Sequence, residues 1–207
     1  MTDLEARIDR LESLDAIRQL PAKYALALDM RDMDAMVSLF PEDVRVGKEA
    51  SGRQALRAYM DRTLRSPFTG TSHHIGGHVI EFDDADHAHG MVYSKNEHET
   101  GDEWVIMQMM YSDNYVRQDG RWYFARRLPL YWYATDLNKP PIGDMKMRWP
   151  GREPYWGTFH ELFPSWKAFW AQRPDKDQLP EVAPPAPLEQ FLKFLRRDAP
   201  APKMRVR

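Results

Sequence analysis

The residues able to do acid–base chemistry are unevenly placed. Six of the seven histidines lie between His73 and His98. The segment Thr71-Ser-His73-His74-Ile-Gly-Gly-His78 carries three of them in a strand-like run. Strict alternation would put His73, Ile75, Gly77 and Val79 on one face and His74, Gly76, His78 and Ile80 on the other. Either face can carry an imidazole inward, and the paired glycines allow a ligand or backbone to come close. A neutral imidazole held by a carboxylate is a general base suited to neutral pH. Asp29, five residues after Tyr24, ends the largely apolar helical stretch Tyr24-Ala-Leu-Ala-Leu-Asp29, where a carboxylate is costly unless it is paired or at the helix end. It is either a paired carboxylate or a helix-terminal cap of the turn Asp29-Met-Arg-Asp32. His98, in Glu97-His98-Glu99, is either a donor to a substrate oxygen or an exposed residue between two acids.

Two further sets matter. Arg126-Arg127 follows the aromatic run Arg121-Trp-Tyr-Phe-Ala125, and alternation turns one of the two inward, where a guanidinium needs an anionic or electron-rich partner. Trp104, Tyr111, Tyr131 and Tyr133, with Trp149, Tyr155, Trp156, Trp166 and Trp170, can line a pocket for a flat apolar ligand. The same rings can equally build an oligomer interface or a second small core. His87-Ala-His89 fits a solvated turn. A metal is not expected, because Val92 or Tyr93 stands where a metal-binding His-x-His pair would be followed by Glu, and no His-Glu-x-x-His occurs.

Several chemistries lack their residues altogether. There is no cysteine, hence no thiolate nucleophile and no Cys-ligated metal. No Gly-x-Gly-x-x-Gly, P-loop or Gly-x-Ser-x-Gly motif occurs, so no nucleotide or flavin cofactor and no serine hydrolase is expected. Lys plus Arg is 29 against 31 Asp plus Glu, a net charge of −2 that offers no footprint for nucleic acid. The N-terminus is charged at once and no apolar run is long enough to cross a membrane, so a cytoplasmic protein is expected.

The elements that must position these residues follow from periodicity. Leu4, Ile8, Leu11, Leu14 and Ile17 recur at helical spacing, and Pro21 is expected to kink or restart a helix that ends near Asp29. Short helices fit Met33 to Phe40, capped by Asp32, and the stretch through Leu56, Tyr59, Met60 and Leu64. Strands fit Thr71–Phe82, Ala88–Thr100, Trp104–Arg117 and Arg121–Tyr133, the last two joined by the hairpin signal Asp119-Gly120. Helices followed by hairpin-linked strands make an α+β order, with N-terminal helices packed on a curved antiparallel sheet.

Twelve of the sixteen prolines lie between Pro140 and Pro202. The chain therefore divides into a domain over residues 1–134 and a Pro/Trp-rich C-terminal extension over 135–207 that wraps or lids the pocket. Within it, Pro164–Trp170 suits a short helix, Pro180–Pro187 a polyproline-like spacer, and Leu188–Arg197 an amphipathic helix before a basic tail.

The motifs taken together resemble the SnoaL-like branch of the NTF2-like superfamily, an α+β cone. The resemblance spans roughly residues 4–133. It rests on Ala25–Asp34 with Leu39-Phe-Pro-Glu-Asp-Val44, on Gly52-Arg-Gln-Ala-Leu56, on Thr71–Phe82, and on Tyr111–Arg127. Within that branch the chain is similar to the cofactor-free lyases, among them scytalone dehydratase, hexachlorocyclohexane dehydrochlorinase and bile-acid 7α-dehydratase. The resemblance implies that a helix Asp, here Asp29, orients a strand His that removes a substrate proton. Spacing to Glu81-Phe82 matches His73, rather than His74, to that histidine. The resemblance also matches Tyr24 to an acid or hydroxyl donor and Arg127 to an oxyanion-stabilising arginine, with His98 beside it. Gly77 departs from the pattern, since many relatives carry Asn there. The extension is similar in length and Trp content to γ-formaldehyde lyases that act on lignin-derived diarylpropane diols. The implied partner is an aromatic small molecule, and the implied assembly a homotrimer or homodimer. An isomerase or cyclase with the same dyad, or a non-catalytic subunit like the dioxygenase β-subunits, fits the same branch.

Overall fold

The computed structural model describes residues 2–157 and 159–171. The expected spacer over Pro180–Pro187 and helix over Leu188–Arg197 lie outside the described residues. The chain falls into two compact units, Met1–Lys167 and Ala168–Arg207, and the histidines all belong to the first.

Helix α1 runs Asp3–Asp29. It opens on a capping box in which the Thr2 hydroxyl accepts from the Glu5 backbone and the Glu5 carboxylate accepts from Thr2. The helix is continuous through Pro21, so the expected restart there does not occur. Pro21 is buried with Ile17, Leu20, Tyr24, Ala25, Ala27 and Leu28, and packing of this half holds the turn that loses one backbone bond. Leu4, Ile8 and Leu11, in the first half, stay exposed. The chain leaves α1 through Arg31, whose φ of 58° lies in the left-handed region and turns it into α2 (Met33–Val37), capped by Asp32. A two-residue ladder of β1 (Arg45–Val46) and β2 (Ala50–Ser51) precedes α3 (Arg53–Arg65).

The body is a four-stranded antiparallel meander of β3 (Gly70–Phe82), β4 (His87–Thr100), β5 (Glu103–Gln118) and β6 (Arg121–Asp136), paired in that order. This is the expected α+β, NTF2-like arrangement, with α1 packed against β3 and β6. The inner face buries Ile17, Tyr24, Leu28, Met36 and Phe40 of the helices against Ala88, Tyr115, Trp122 and Phe124 of the sheet. A second cluster on that face joins Val92, Val105, Met107, Met109, Tyr111 and Ala134.

Three bulges interrupt the alternation. On β3, Ile75 pairs with Ser94 and His78 with Val92, so Gly76 and Gly77 together face Tyr93. On β6, Ala125 is extra between the Phe124–Tyr115 and Arg126–Asn114 pairs, and Trp132 is extra between Tyr131–Met109 and Tyr133–Gln108. Each bulge reverses which parity of residue points inward and bends the strand. The inner face therefore carries His73, Ile75, His78 and Ile80 on β3, and Phe124, Arg127, Tyr131 and Ala134 on β6.

Beyond β6 the chain folds back on the first unit. Met147 bridges to Ala134 and to Tyr155, and is buried in the second cluster. Arg148 pins this loop by donating to the carbonyls of Met145, Pro140 and Ile142 at 2.9, 3.0 and 2.7 Å. Gly157 then passes over Trp132 so closely that a Cβ there would sit 1.9 Å from the Trp132 carbonyl oxygen. Phe159 packs on Met110 and Leu130, which are on the outer face. The segment thus crosses the edge strand from one face of the sheet to the other. A short helix, α4, spans Pro164–Trp170.

Candidate active site

Asp29 is the last residue of α1, where the helix dipole opposes a carboxylate. Four groups compensate. The His73 backbone N–H donates to its Oδ2 at 2.8 Å, and His73 Nδ1 meets Oδ1 at 2.6 Å. The Thr71 hydroxyl donates to Oδ1 at 2.9 Å, and Arg31 donates to the Thr71 oxygen at 2.7 Å while anchored on the Leu28 carbonyl. Burial alone would raise the Asp29 pKa, but the bonds from His73 and Thr71 outweigh it and hold the carboxyl below its ordinary value. Asp29 is therefore ionised and only accepts. Nδ1 of His73 must carry the proton, which leaves Nε2 as the basic nitrogen. The His73 side chain is itself buried.

His98 stands beside this pair, its ring centroid 6.0 Å from that of His73. Phe68 and Trp149 flank it at 4.7 and 5.4 Å. It is buried, and its Nδ1 has no hydrogen-bond partner. Burial, then the neighbouring His73, push its pKa down to about 4, so it is neutral at neutral pH.

Arg127 lies deeper along the sheet. Its guanidinium sits over the rings of Tyr111 at 3.8 Å and of Tyr24 and Phe124 at 4.5 Å each. Tyr24 belongs to this aromatic nest, edge-on to Phe40, Tyr111 and Phe124, and burial raises its pKa well above the ordinary phenol. Tyr111 and Tyr131 also face inward. Trp104 and Tyr133 do not: they pair with Glu99 and Gln108, so both lie on the sheet face opposite His73. The bulge at Trp132 separates Tyr133 from Tyr131. Among the described residues, no cluster of three or more His, Asp or Glu side chains is arranged to hold a metal ion.

The sequence model of the SnoaL-like domain matches residues 9–128, more than half of the chain. The chain belongs to the SnoaL-like domain family. No curated protein sequence matches it. Among solved structures it is similar to a scytalone dehydratase-like protein from Novosphingobium aromaticivorans, at 26% identity and a TM-score of 0.56, covering 71% of this chain and 99% of that one. It is also similar to LinA, at 24% identity and a TM-score of 0.59 over 65% of this chain and 99% of that one. A type 3 hexachlorocyclohexane dehydrochlorinase from Novosphingobium barchaimii gives 22% identity and a TM-score of 0.58, covering 64% and 94%.

This SnoaL-like domain also holds polar residues that the sequence reading passed over. Asp113 is fully buried and faces Arg127, with its Oδ2 3.1 Å from Nη2. The Tyr115 hydroxyl donates to the same Oδ2 at 3.1 Å, and His78 Nε2 lies 2.9 Å from that hydroxyl. Asn96 is buried near the dyad, where the Ser94 hydroxyl donates to its Oδ1 and its amide meets Met109. The available signal was a lone carboxylate in the apolar alternation Val105, Met107, Met109, Tyr111, Asp113, Tyr115. The bulge in β3 concealed His78, which strict alternation sets opposite His73.

Proposed function

We propose that the protein is a cofactor-independent lyase. In this reading His73 is the general base, and Asp29 holds its tautomer and steadies the imidazolium as it forms. The observation that carries the reading is that Asp29 takes both N–H groups of His73, leaving Nε2 for a substrate proton. The same contact speaks against a non-catalytic subunit, which has no use for a buried, oriented imidazole. Membership of the SnoaL-like family and the 26% identity to a scytalone dehydratase-like protein support an elimination.

The substrate is a bulky, apolar, aromatic small molecule. Support comes from Tyr111 and Tyr131 on the inner face and from Phe68 and Trp149 around His98. The extension after residue 134 acts as a pocket wall and helps exclude water, through Met147 and Trp149 packed on the second cluster. Arg127 and His98 steady oxyanion charge that develops on the substrate. Tyr24, kept as a phenol by burial, donates to a leaving hydroxyl.

The finer proposal is a lignin-derived diarylpropane diol. Loss of the phenol proton expels the benzylic hydroxyl as water and gives a quinone methide. His73 then takes the proton of the γ-hydroxyl, the Cβ–Cγ bond breaks, and formaldehyde leaves. The bond's electrons restore the aromatic ring and form the stilbene double bond, and the imidazolium returns its proton to the phenolate. A simple dehydratase would instead take a C–H proton at His73 and release only water. A homodimer or homotrimer is the proposed assembly.

The test is mass spectrometry of products from diarylpropane diols, steroids and hydroxylated polycyclics. Loss of water, with or without formaldehyde, supports the lyase. A product of unchanged mass supports an isomerase or cyclase with the same dyad and overturns the lyase. Activity largely kept in both His73→Ala and Asp29→Ala overturns the dyad itself.

A further inference from the structure

We propose that Asp113, Tyr115 and His78 form a line of positioning residues that sets the orientation of Arg127 and counters its charge. The inference rests on the reading that Arg127 steadies an oxyanion.

The guanidinium of Arg127 is covered on its faces by three aromatic rings and its nitrogens are buried as well, so any polar contact must come through its edge. Its Nη2 meets Asp113, its one ion contact among the described residues, while Nε and Nη1 have no hydrogen-bond partner. A purely structural pair would use the fork of donors in two aligned bonds. Here a single Asp113 oxygen meets Nη2 at 3.1 Å while Nε and Nη1 remain without a partner.

Asp113 is held in turn. Tyr115 donates its hydroxyl proton to Asp113 Oδ2, so the Tyr115 oxygen must accept from His78 Nε2. This direction fixes His78 as the neutral Nε2–H tautomer. Burial, with Arg127 and Arg18 nearby, pushes the His78 pKa down to about 4, in keeping with that form. Burial raises Asp113 to about 6, opposed by Arg127 and the Tyr115 hydroxyl, so its carboxylate form prevails at neutral pH.

The backbone is shaped around this line. The bulge at Gly76-Gly77 turns His78 inward, and the bulge at Ala125 selects Arg127 over the exposed Arg126. Gly90 pairs with Asp113. A Cβ there would meet the Val79 carbonyl at 2.5 Å, Tyr115 Cε2 at 3.3 Å and His78 Nε2 at 3.4 Å. Two bulges and a forced glycine converge on four side chains that the dyad does not touch.

The experiment pairs NMR of the full chain with kinetics on whichever panel compound turns over. Nitrogen-15 spectra should show His78 protonated on Nε2. In the isosteric variants Tyr115→Phe and Asp113→Asn, the His78 and Arg127 Nε–H resonances should both move while the fold is kept. Asp113→Asn should lower kcat about tenfold with little change in KM, and adding Tyr115→Phe should cost little more, because residues acting as one unit are not additive. Unmoved Arg127 resonances in both folded variants, or fully additive losses, overturn the proposal. The spectra need no substrate, so a parent enzyme inert on the whole panel would sink the lyase reading while the NMR still decides the positioning line.

Discussion

At the residue scale, the dyad gives the sharpest expectation. Positioned proton transfer is worth about 10²–10⁴-fold. Asp29→Asn keeps the shape but replaces an acceptor-only carboxylate with an amide that can donate to His73, and so frees the wrong tautomer. A kcat loss within that range is expected, with an unchanged circular dichroism spectrum. Thr71→Val should cost less, since it removes one of three donors to Asp29. His98 carries a second expectation, read in stability. It faces His73, Asp29 and Arg31, and its pKa falls from 6.5 unfolded to about 4 folded. A depressed histidine lends stability that is fully present above pH 6.5 and lost as pH falls through 4. His98→Gln removes that dependence, on the order of 3 kcal/mol by linkage. Urea unfolding midpoints at pH 7 and pH 4.5 should therefore differ less in the variant than in the parent. Asp113 works the other way over the same window, since its raised pKa lends stability that is lost as pH rises through about 6. His78 and His98 outnumber it, so the parent should weaken on acidification.

At the element scale, the order of helices and hairpins was legible because each carries its own period or turn chemistry. Asp119-Gly120 and the Asp32 cap are local signals, and the folded chain uses both. The inward faces were less legible, because a bulge costs one residue and leaves no consistent trace in composition. Gly76-Gly77 gave a hint, but Ala125 and Trp132 gave none. That is why alternation alone left Arg126 and Arg127 undecided, the choice of Arg127 resting on the family resemblance, and why Tyr133 was grouped with Tyr131. The return of the chain across β6 makes a testable element of its own. Gly157 has no room for a Cβ, because the obstacle is the Trp132 backbone rather than a flexible side chain. Gly157→Ala should lift the 145–157 segment from the sheet. Amide exchange at Met147 and Tyr155, which exchange backbone bonds at 3.0 and 3.1 Å, should speed up while the β4–β5 ladder stays protected.

At the scale of the whole molecule, the Pro and Trp excess marked an extension, but nothing in it revealed where the chain would go. Its course is set by single long-range contacts: Met147 filling the inner cluster and Phe159 the outer one. Assembly is the remaining question at this scale. The first half of α1 leaves Leu4, Ile8 and Leu11 at 62, 46 and 65% exposure along one stripe, and the outer sheet face leaves Val79, Tyr93 and Leu128 open. Apolar residues at helical spacing gain nothing from water, and a second copy of the chain offers the same stripe to pair with. A homodimer or homotrimer is therefore expected in sedimentation or light scattering. Leu4→Ser with Leu11→Ser should loosen an assembly built on the helix, and Tyr93→Ser with Leu128→Ser one built on the sheet. Neither pair touches the Asp29–His73 contact, so a fall in mass with turnover retained would separate assembly from catalysis. A parent that stays monomeric at every concentration would refute both surfaces as self-association sites.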